Sequence, residues 1–375
     1  MKRIIVIGST GSIGRQTLDI LRSHPDEFEL VALSCHKNLD LLREQIEEFK
    51  PRVVALSGGN QPLHIDLPIP VASGLEGLCR MIRETEADMV VNAAAGAAGL
   101  LPSLAALESG KDLALANKET MVMAGRLVRE TAALHKRRII PVDSEHSAVF
   151  HLIRLMEPET IDEIILTASG GPFRERALEE LERVTVEETL RHPTWNMGRK
   201  ITVDCATMAN KALEVIEAGR FFDVPPHRIR VLIHPQSLVH SLVRTRDGSL
   251  YAQISRPDMR LPIVNALSFP ACPAADFAAL DLAGRTFEFL PVEERRYPLL
   301  GLGYHALQRD GAYPTVFNAA NEVAVDAFLS GSIGFTAIAR VVEQTLSADW
   351  PNLNRTLDDV IFNDTSARAK AAEYC

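Results

Sequence analysis

Cysteine is sparse and scattered along this chain. The five thiols (35, 79, 205, 272 and 375) are odd in number and never take a Cys-x-x-Cys spacing. That speaks against a disulfide framework and a structural zinc site, and for a reducing, cytoplasmic setting. No two histidines stand at metal-ligand spacing, so any metal centre is expected to rest on oxygen. No apolar run approaches the roughly 20 residues of a membrane span. Residues 1–7 give one apolar strand and then a glycine turn, not a signal peptide. Basic residues form no long run and the net charge is −9, which excludes nucleic acid and anionic membrane as expected partners. Internal repeats and low-complexity stretches are also missing. What remains, at 46% hydrophobic and 24% charged residues, is an ordinary globular chain whose 375 residues suffice for two or three domains.

The first stretch reads as an α/β nucleotide fold. Ile4–Ile7 is a buried-strand pattern, Gly8-Ser-Thr-Gly11-Ser-Ile-Gly14 follows at once, and a helical pattern begins through Thr17, Leu18, Ile20 and Leu21. Glycines there allow a tight turn and let backbone approach a pyrophosphate at a helix N-terminus. Further strand patterns at 29–34, 52–56, 88–92, 113–116 and 138–142, mostly separated by helical patterns, predict a doubly wound (Rossmann-like) parallel sheet. The second strand ends in Cys35-His36-Lys37-Asn38, where an NAD enzyme usually has an acidic residue. A cation at Lys37 suits a 2′-phosphate, which favours NADP. The small-residue run 92–99 and Asn117-Lys118-Glu119 fall at later strand ends, where open α/β sheets bind ligands.

Carboxylates come next. Asp143 and Glu145 are two apart at a strand end and point the same way while the chain stays extended, with Ser144 placed to cap the following helix. The stretch from His192 to Glu217 opens as a Gly/Pro loop bearing His192, Trp195 and Met197; only two tryptophans occur in the chain. Lys200–Asp204 alternates like a short strand, and a helix follows that closes near Gly219. On that helix Asn210, Lys211 and Glu214 share one side near its N-terminal end, a placement that suits a phosphate. Glu214 with Asp143 and Glu145 would form an all-oxygen site for Mg²⁺ or Mn²⁺. A strand over 164–168 leads into Ser169-Gly-Gly-Pro-Phe173, a turn with a hydroxyl and free N–H groups. Residues 231–237 form a strand ending in His234-Pro-Gln-Ser237, and 239–245 with 249–255 read as a β-hairpin about Asp247-Gly248 whose edge suits self-association.

The expected organisation is therefore a nucleotide-binding domain over 1–143, a central α+β catalytic and dimerisation domain with a mixed sheet over 144–265, and a lid loop near 169–199. A linker over 266–297, marked by its prolines, precedes a C-terminal helical bundle over 298–375 with helices at 299–308, 316–329, 333–346 and 365–373.

Taken together, the motifs resemble the 1-deoxy-D-xylulose 5-phosphate reductoisomerase family from end to end: Gly8–Gly14, Ala116-Asn-Lys-Glu119, Pro141-Val-Asp-Ser-Glu145, Ser169–Phe173, His192-Pro, Trp195, Met197-Gly198, Asn210-Lys211, Glu214, His234–Ser237 and Asn318-Ala-Ala-Asn-Glu322. The resemblance implies an NADPH- and divalent-metal-dependent, cytoplasmic homodimer that converts 1-deoxy-D-xylulose 5-phosphate to 2-C-methyl-D-erythritol 4-phosphate. It implies NADPH contacts from Thr10, Gly11, Ser12, Ile13, His36, Lys37, Asn38, Asn117, Glu119 and Gly198, and metal ligation by Asp143, Glu145 and Glu214. Substrate contacts fall to Ser144, Glu145, Ser169, His192, Cys205, Asn210, Lys211, Glu214 and the lid residue Trp195; the catalytic set is Lys118, Glu145 and His192. Two residues depart from the family pattern: Cys205 replaces a serine, and His36 replaces a glycine.

Overall fold

The computed structural model describes residues 1–58, 69–191, 197–275, 277 and 279–375. The chain divides into two compact units: Met1–Thr120 with Val128–Ser144 and Asp258–Asp276, and Met121–Leu127 with Glu145–Pro257 and Phe277–Cys375.

The first unit is built by β/α alternation. In chain order it runs β1 (Lys2–Ile7), α1 (Ser12–Ser23), β2 (Phe28–Cys35), α2 (Leu39–Phe49), β3 (Val53–Leu56), β4 (Val71–Ser73), α3 (Gly74–Glu84), β5 (Met89–Asn92), α4 (Leu100–Glu108), β6 (Asp112–Leu115), α5 (Lys118–Leu134) and β7 (Ile139–Pro141). All strand pairs are parallel, in the order β4-β3-β2-β1-β5-β6-β7. A parallel sheet covered on both faces needs strands that are apolar on both sides. Ile4, Ile5, Val6 and Val31 to Leu33 meet that need and are wholly buried. Six of the seven strands were legible as apolar runs; β4, three residues long and only half-buried, was not. The order reverses between β1 and β5, so their carboxyl ends open the crevice where such sheets take ligands.

The second unit packs helices on a mixed sheet. It contains α6 (Ser144–Ile153, counted from Glu145), β8 (Ile161–Ala168), α7 (Val186–Thr189), α8 (Arg199–Thr207), α9 (Ala209–Phe222), β9 (Ile229–Ile233), β10 (Val239–Thr245) and β11 (Leu250–Ile254). The sheet order is β11-β10-β8-β9, with β8 and β9 parallel and β10 antiparallel to both its neighbours. After β11 comes α10 (Arg260–Ser268), then α11 (Pro298–Arg309), α12 (Tyr313–Leu329), α13 (Ala337–Leu346) and α14 (Leu357–Ala372).

The expected domain boundaries differ from these units, for two reasons. The helix α10, part of it inside the expected linker, packs on α1 in the first unit, and the Lys2 ammonium donates to Leu267 O at 2.5 Å. The C-terminal helices share one apolar core with the central segment, in which Val316, Phe317 and Phe328 of α12 join Val203, Val215 and Ile216 of α8 and α9. A helical bundle separate from the catalytic segment would have to leave those faces bare.

Candidate functional site

In the first unit the turn after β1 is shaped by two glycines that nothing larger can replace. Gly8 has φ +75°, and a Cβ there would stand 2.7 Å from Ala93 O. A Cβ on Gly14 would stand 2.2 Å from Gly8 O, so α1 can lie against the turn only without a side chain at 14. The turn is pinned by Ser9 N donating to Ser34 O (2.8 Å) and by Ser9 Oγ donating to Gln45 Oε1 (2.7 Å). Thr10 Oγ1 lies 3.6 Å from Cys35 Sγ at the end of β2. Immediately beyond, His36, Lys37 and Asn38 are exposed; Asn38 caps α2 by accepting from Leu41 N, and His36 Nδ1 lies 3.3 Å from Ser57 Oγ. Three polar side chains therefore stand outside the carboxyl end of β2, the end at which such sheets take ligands.

Asn117 is held by several hydrogen bonds of its own. It is 1% exposed, caps α5 through Thr120 N, and donates to Ala94 O (3.0 Å), Gly96 O (2.9 Å) and Glu119 Oε2 (3.0 Å). Its side chain is thus committed to holding the 94–99 loop, while Glu119 is drawn in beside it. Lys118, also buried, places its ammonium 2.5 Å from Asp143 Oδ2.

In the second unit the carboxylates gather around a lysine. Lys211 Nζ donates to Glu145 Oε1 at 2.6 Å and to Glu214 Oε2 at 2.5 Å, and Asn210 Nδ2 donates to Glu214 Oε1 at 2.5 Å. Lys211 is 3% exposed. Burial alone would lower its pKa, but Glu145 and then Glu214 outweigh that and hold it above the ordinary lysine value. It is a permanent cation at neutral pH. The carboxylates do not owe their approach to a shared extended strand: β7 stops at Pro141, and Glu145 already lies in the first turn of α6, which Ser144 opens. Helix geometry brings Asn210, Lys211 and Glu214 together, as expected from their spacing.

Two residues that the spacing arguments passed over hold this cluster in place. His146 Nε2 lies 3.0 Å from Glu214 O, and its Nδ1 lies 3.5 Å from Glu217 Oε2; both side chains are fully buried. They join α6 to α9 one helical turn behind the carboxylates. The signal was present in sequence, since Glu217 is three residues after Glu214 and His146 adjoins Glu145. Ser241 Oγ, on β10, donates to Glu145 O at 3.0 Å.

The stretch ahead of α9 departs from expectation. Lys200–Asp204 is helix α8 and not a strand, because Gly198 takes the N-cap position and Lys200 pairs with Asp204 at i,i+4 (2.9 Å), a bond only a helix permits. A left-handed Met208 (φ 62°) then lets α9 start afresh, which puts Asn210 and Lys211 in its first turn. Cys205 accordingly sits in α8 and not at the start of α9. A Cβ on Gly171 would meet Cys205 O at 2.8 Å, so the Ser169–Gly171 turn and α8 are in close contact. Most of the expected lid is anchored: Phe173, Leu181 and Val184 are core residues, and Arg296 donates to Phe173 O (3.0 Å) and Arg176 O (2.5 Å). His192 and Trp195 lie outside the described residues. His234 is structural. Its Nδ1 donates to Glu288 O at 2.8 Å and its Nε2 accepts from Leu238 N at 3.2 Å.

A doubly wound nucleotide-binding unit in one chain with a buried carboxylate–lysine cluster defines a dinucleotide-dependent oxidoreductase of the α/β class. Family models described as 1-deoxy-D-xylulose 5-phosphate reductoisomerase, its C-terminal domain, and the DXP reductoisomerase C-terminal domain match residues 4–125, 139–222 and 254–370. Proteins of that name from Geotalea uraniireducens and Desulfitobacterium hafniense are each 48% identical, over 100% of this chain and 98% and 99% of theirs. Among solved structures, a DOX-P reductoisomerase in complex with NADPH, fosmidomycin and magnesium is similar at TM-score 0.92 and 36% identity, covering 100% of this chain and 98% of that one. The Zymomonas mobilis reductoisomerase in complex with NADPH is similar at TM-score 0.91 and 38% identity, covering 99% and 98%. The chain belongs to the 1-deoxy-D-xylulose 5-phosphate reductoisomerase family.

Proposed function

We infer that this chain rearranges and reduces 1-deoxy-D-xylulose 5-phosphate to 2-C-methyl-D-erythritol 4-phosphate, with NADPH and Mg²⁺ or Mn²⁺. The observation that carries this reading is the buried Glu145–Lys211–Glu214 cluster. Oxygens of two carboxylates converge on one cationic centre, and all are the hard donors that Mg²⁺ and Mn²⁺ prefer. Asp143, two positions ahead of Glu145 in the chain, is the third ligand. When bound, a divalent ion there stabilises negative charge developing on substrate oxygens, and NADPH supplies the hydride.

The protein's own groups then have distinct tasks. Lys211, held charged by its two carboxylate neighbours, binds the phosphosugar anion. Asn210 orients Glu214 and offers its amide to substrate; Ser169, Cys205 and Ser144 add short hydrogen-bonding groups. Lys118 is the proton donor, and Asp143 orients its ammonium at 2.5 Å. His192 and Trp195 complete the substrate contacts. Thr10 to Ile13 receive the NADPH diphosphate, His36, Lys37 and Asn38 its 2′-phosphate, and Asn117, Glu119 and Gly198 its nicotinamide half.

A second copy is the expected partner. The β11 edge of the mixed sheet exposes Leu250 (49%) and Ile254 (39%) on one face and Tyr251 (48%) on the other, apolar groups that pairing between copies would cover. No helix among the described residues is long and apolar enough to cross a membrane, and the scattered cysteines agree with a cytoplasmic setting. The test is NADPH oxidation followed by absorbance with 1-deoxy-D-xylulose 5-phosphate, with Mg²⁺ or Mn²⁺ added or chelated. Turnover that needs the cation is expected; turnover indifferent to the chelator removes the metal assignment, and no turnover removes the activity.

A further inference from the structure

We propose that Asp204, clamped between Lys200 and Asn321, is a positioning residue of the phosphate-binding subsite; the proposal rests on assigning Ser169, Cys205, Asn210 and Lys211 to that subsite. Asp204 is 1% exposed, and its described bonds reach neither Lys118 nor Glu145. Its carboxylate receives Lys200 Nζ at 2.9 Å from one turn earlier on α8, and Asn321 Nδ2 at 2.8 Å from α12. The carboxylate fixes the amide's orientation, since only Nδ2 can donate to it.

The surroundings make this an expensive arrangement. Asn321 is fully buried on a helix whose buried positions from Val316 onward are Val, Phe and Ala apart from Asn318 and Asn321 themselves, and its Oδ1 has no hydrogen-bond partner among the described residues. The same holds for Asn318 Oδ1, one turn earlier. An apolar pair of similar volume would serve stability at least as well, because buried polar groups bring a desolvation cost and an unmet acceptor adds to it. What an amide–carboxylate–ammonium chain adds is direction. It sets the rotation and the axial position of α8 against α12, where apolar packing would tolerate sliding.

That setting matters because α8 is the element about which the subsite residues collect. Cys205 follows Asp204 directly. The Ser169–Gly171 turn lies against the same helical turn, with room for no Cβ on Gly171. Three residues beyond Cys205, the left-handed Met208 hands the chain to α9, whose first turn presents Asn210 and Lys211. Lys200 adds the N-terminal end of α8, just past the Gly198 cap. A rotation of α8 by a few degrees therefore moves the hydroxyl turn, the thiol and the α9 donors relative to one another. The Asn318-Ala-Ala-Asn-Glu322 motif, otherwise remote from the chemistry, acquires a task through this single bond.

The experiment compares Asn321→Ala and Lys200→Met with the unmodified enzyme and with Ser169→Ala, under steady-state turnover of 1-deoxy-D-xylulose 5-phosphate. The expected result for both variants is a rise in KM for the phosphoketose of about tenfold, with KM for NADPH unchanged and kcat reduced by less than that. Asn321→Ser, which restores a donor, should recover part of the loss and stands in if Asn321→Ala does not fold. A lowered melting temperature with KM for the phosphoketose unchanged overturns the positioning role, provided Ser169→Ala raises that KM. If Ser169→Ala and Lys211→Met also leave it unchanged, the subsite assignment itself fails, and the positioning role with it.

Discussion

Replacing Lys211 with Met isolates the energetics of the carboxylate cluster, because the thioether keeps the aliphatic packing and removes only the charge. In the native chain the ammonium stands 2.6 Å from Glu145 and 2.5 Å from Glu214, nearly shut off from solvent. Removing it leaves two carboxylates facing each other, and breaking a buried pair from one side costs about 3–5 kcal/mol. For a folding unit of roughly 200 residues, that is a fall of roughly 6–20 °C in melting temperature. A divalent cation that binds the same two carboxylates reverses the loss in part, by about 2.7 kcal/mol at a concentration of roughly 100 times its Kd. In the unmodified chain the cation shares the carboxylates with Lys211, so its stabilising effect should be smaller than in Lys211→Met. The assay is thermal unfolding of both proteins in chelator and in millimolar MgCl₂ or MnCl₂, without substrate. Equal melting temperatures in chelator, or an equal cation effect in both, would refute the reasoning.

Four further outcomes follow from particular contacts. Burial holds His240 down to about 4, so the unfolded chain binds more protons between that value and about 6.5 and stability falls as pH drops through that window, by about 3 kcal/mol. His240→Leu should flatten that slope in urea unfolding measured at several pH values; an unchanged slope assigns the effect elsewhere. Gly14→Ala must displace Gly8 O, so NADPH binding by fluorescence titration should be lost or weakened by more than tenfold, roughly 1.4 kcal/mol or more; native affinity would contradict the tight turn. Leu250→Lys with Ile254→Lys should shift a dimer to monomer in light scattering, and a dimer that persists rules out the β11 edge as the interface. Cys205→Ser, a stronger donor than the thiol, should lower KM for the phosphoketose; a KM that stays or rises shows that the thiol is no handicap.

The nucleotide-binding unit could be read almost whole from the chain. Parallel strands are apolar on both faces, so Ile4–Ile7 or Met89–Asn92 announce themselves as runs, and the glycines of the first turn report a steric need that acts within a few residues. The spacing of Asn210, Lys211 and Glu214 was equally legible, because one helical turn is a local distance. Short windows misled where two periods fit: Lys200–Asp204 alternates like a strand, and only the Lys200–Asp204 pair and the Gly198 cap decide for helix. The hydrogen bonds of Asn117 to the 94–99 loop were also out of reach, since its partners Ala94 and Gly96 lie over twenty residues away.

By itself, then, the sequence determined what is enforced over short separations: strand runs, glycine turns, helix faces, and with them the family. Only the tertiary structure decided which distant groups meet. Glu145 reaches Lys211 across 66 residues and Asp204 reaches Asn321 across 117, and Leu267 returns to Lys2 across 265. Such meetings depend on how whole apolar faces pack, which is a collective outcome with no counterpart in any single stretch of chain.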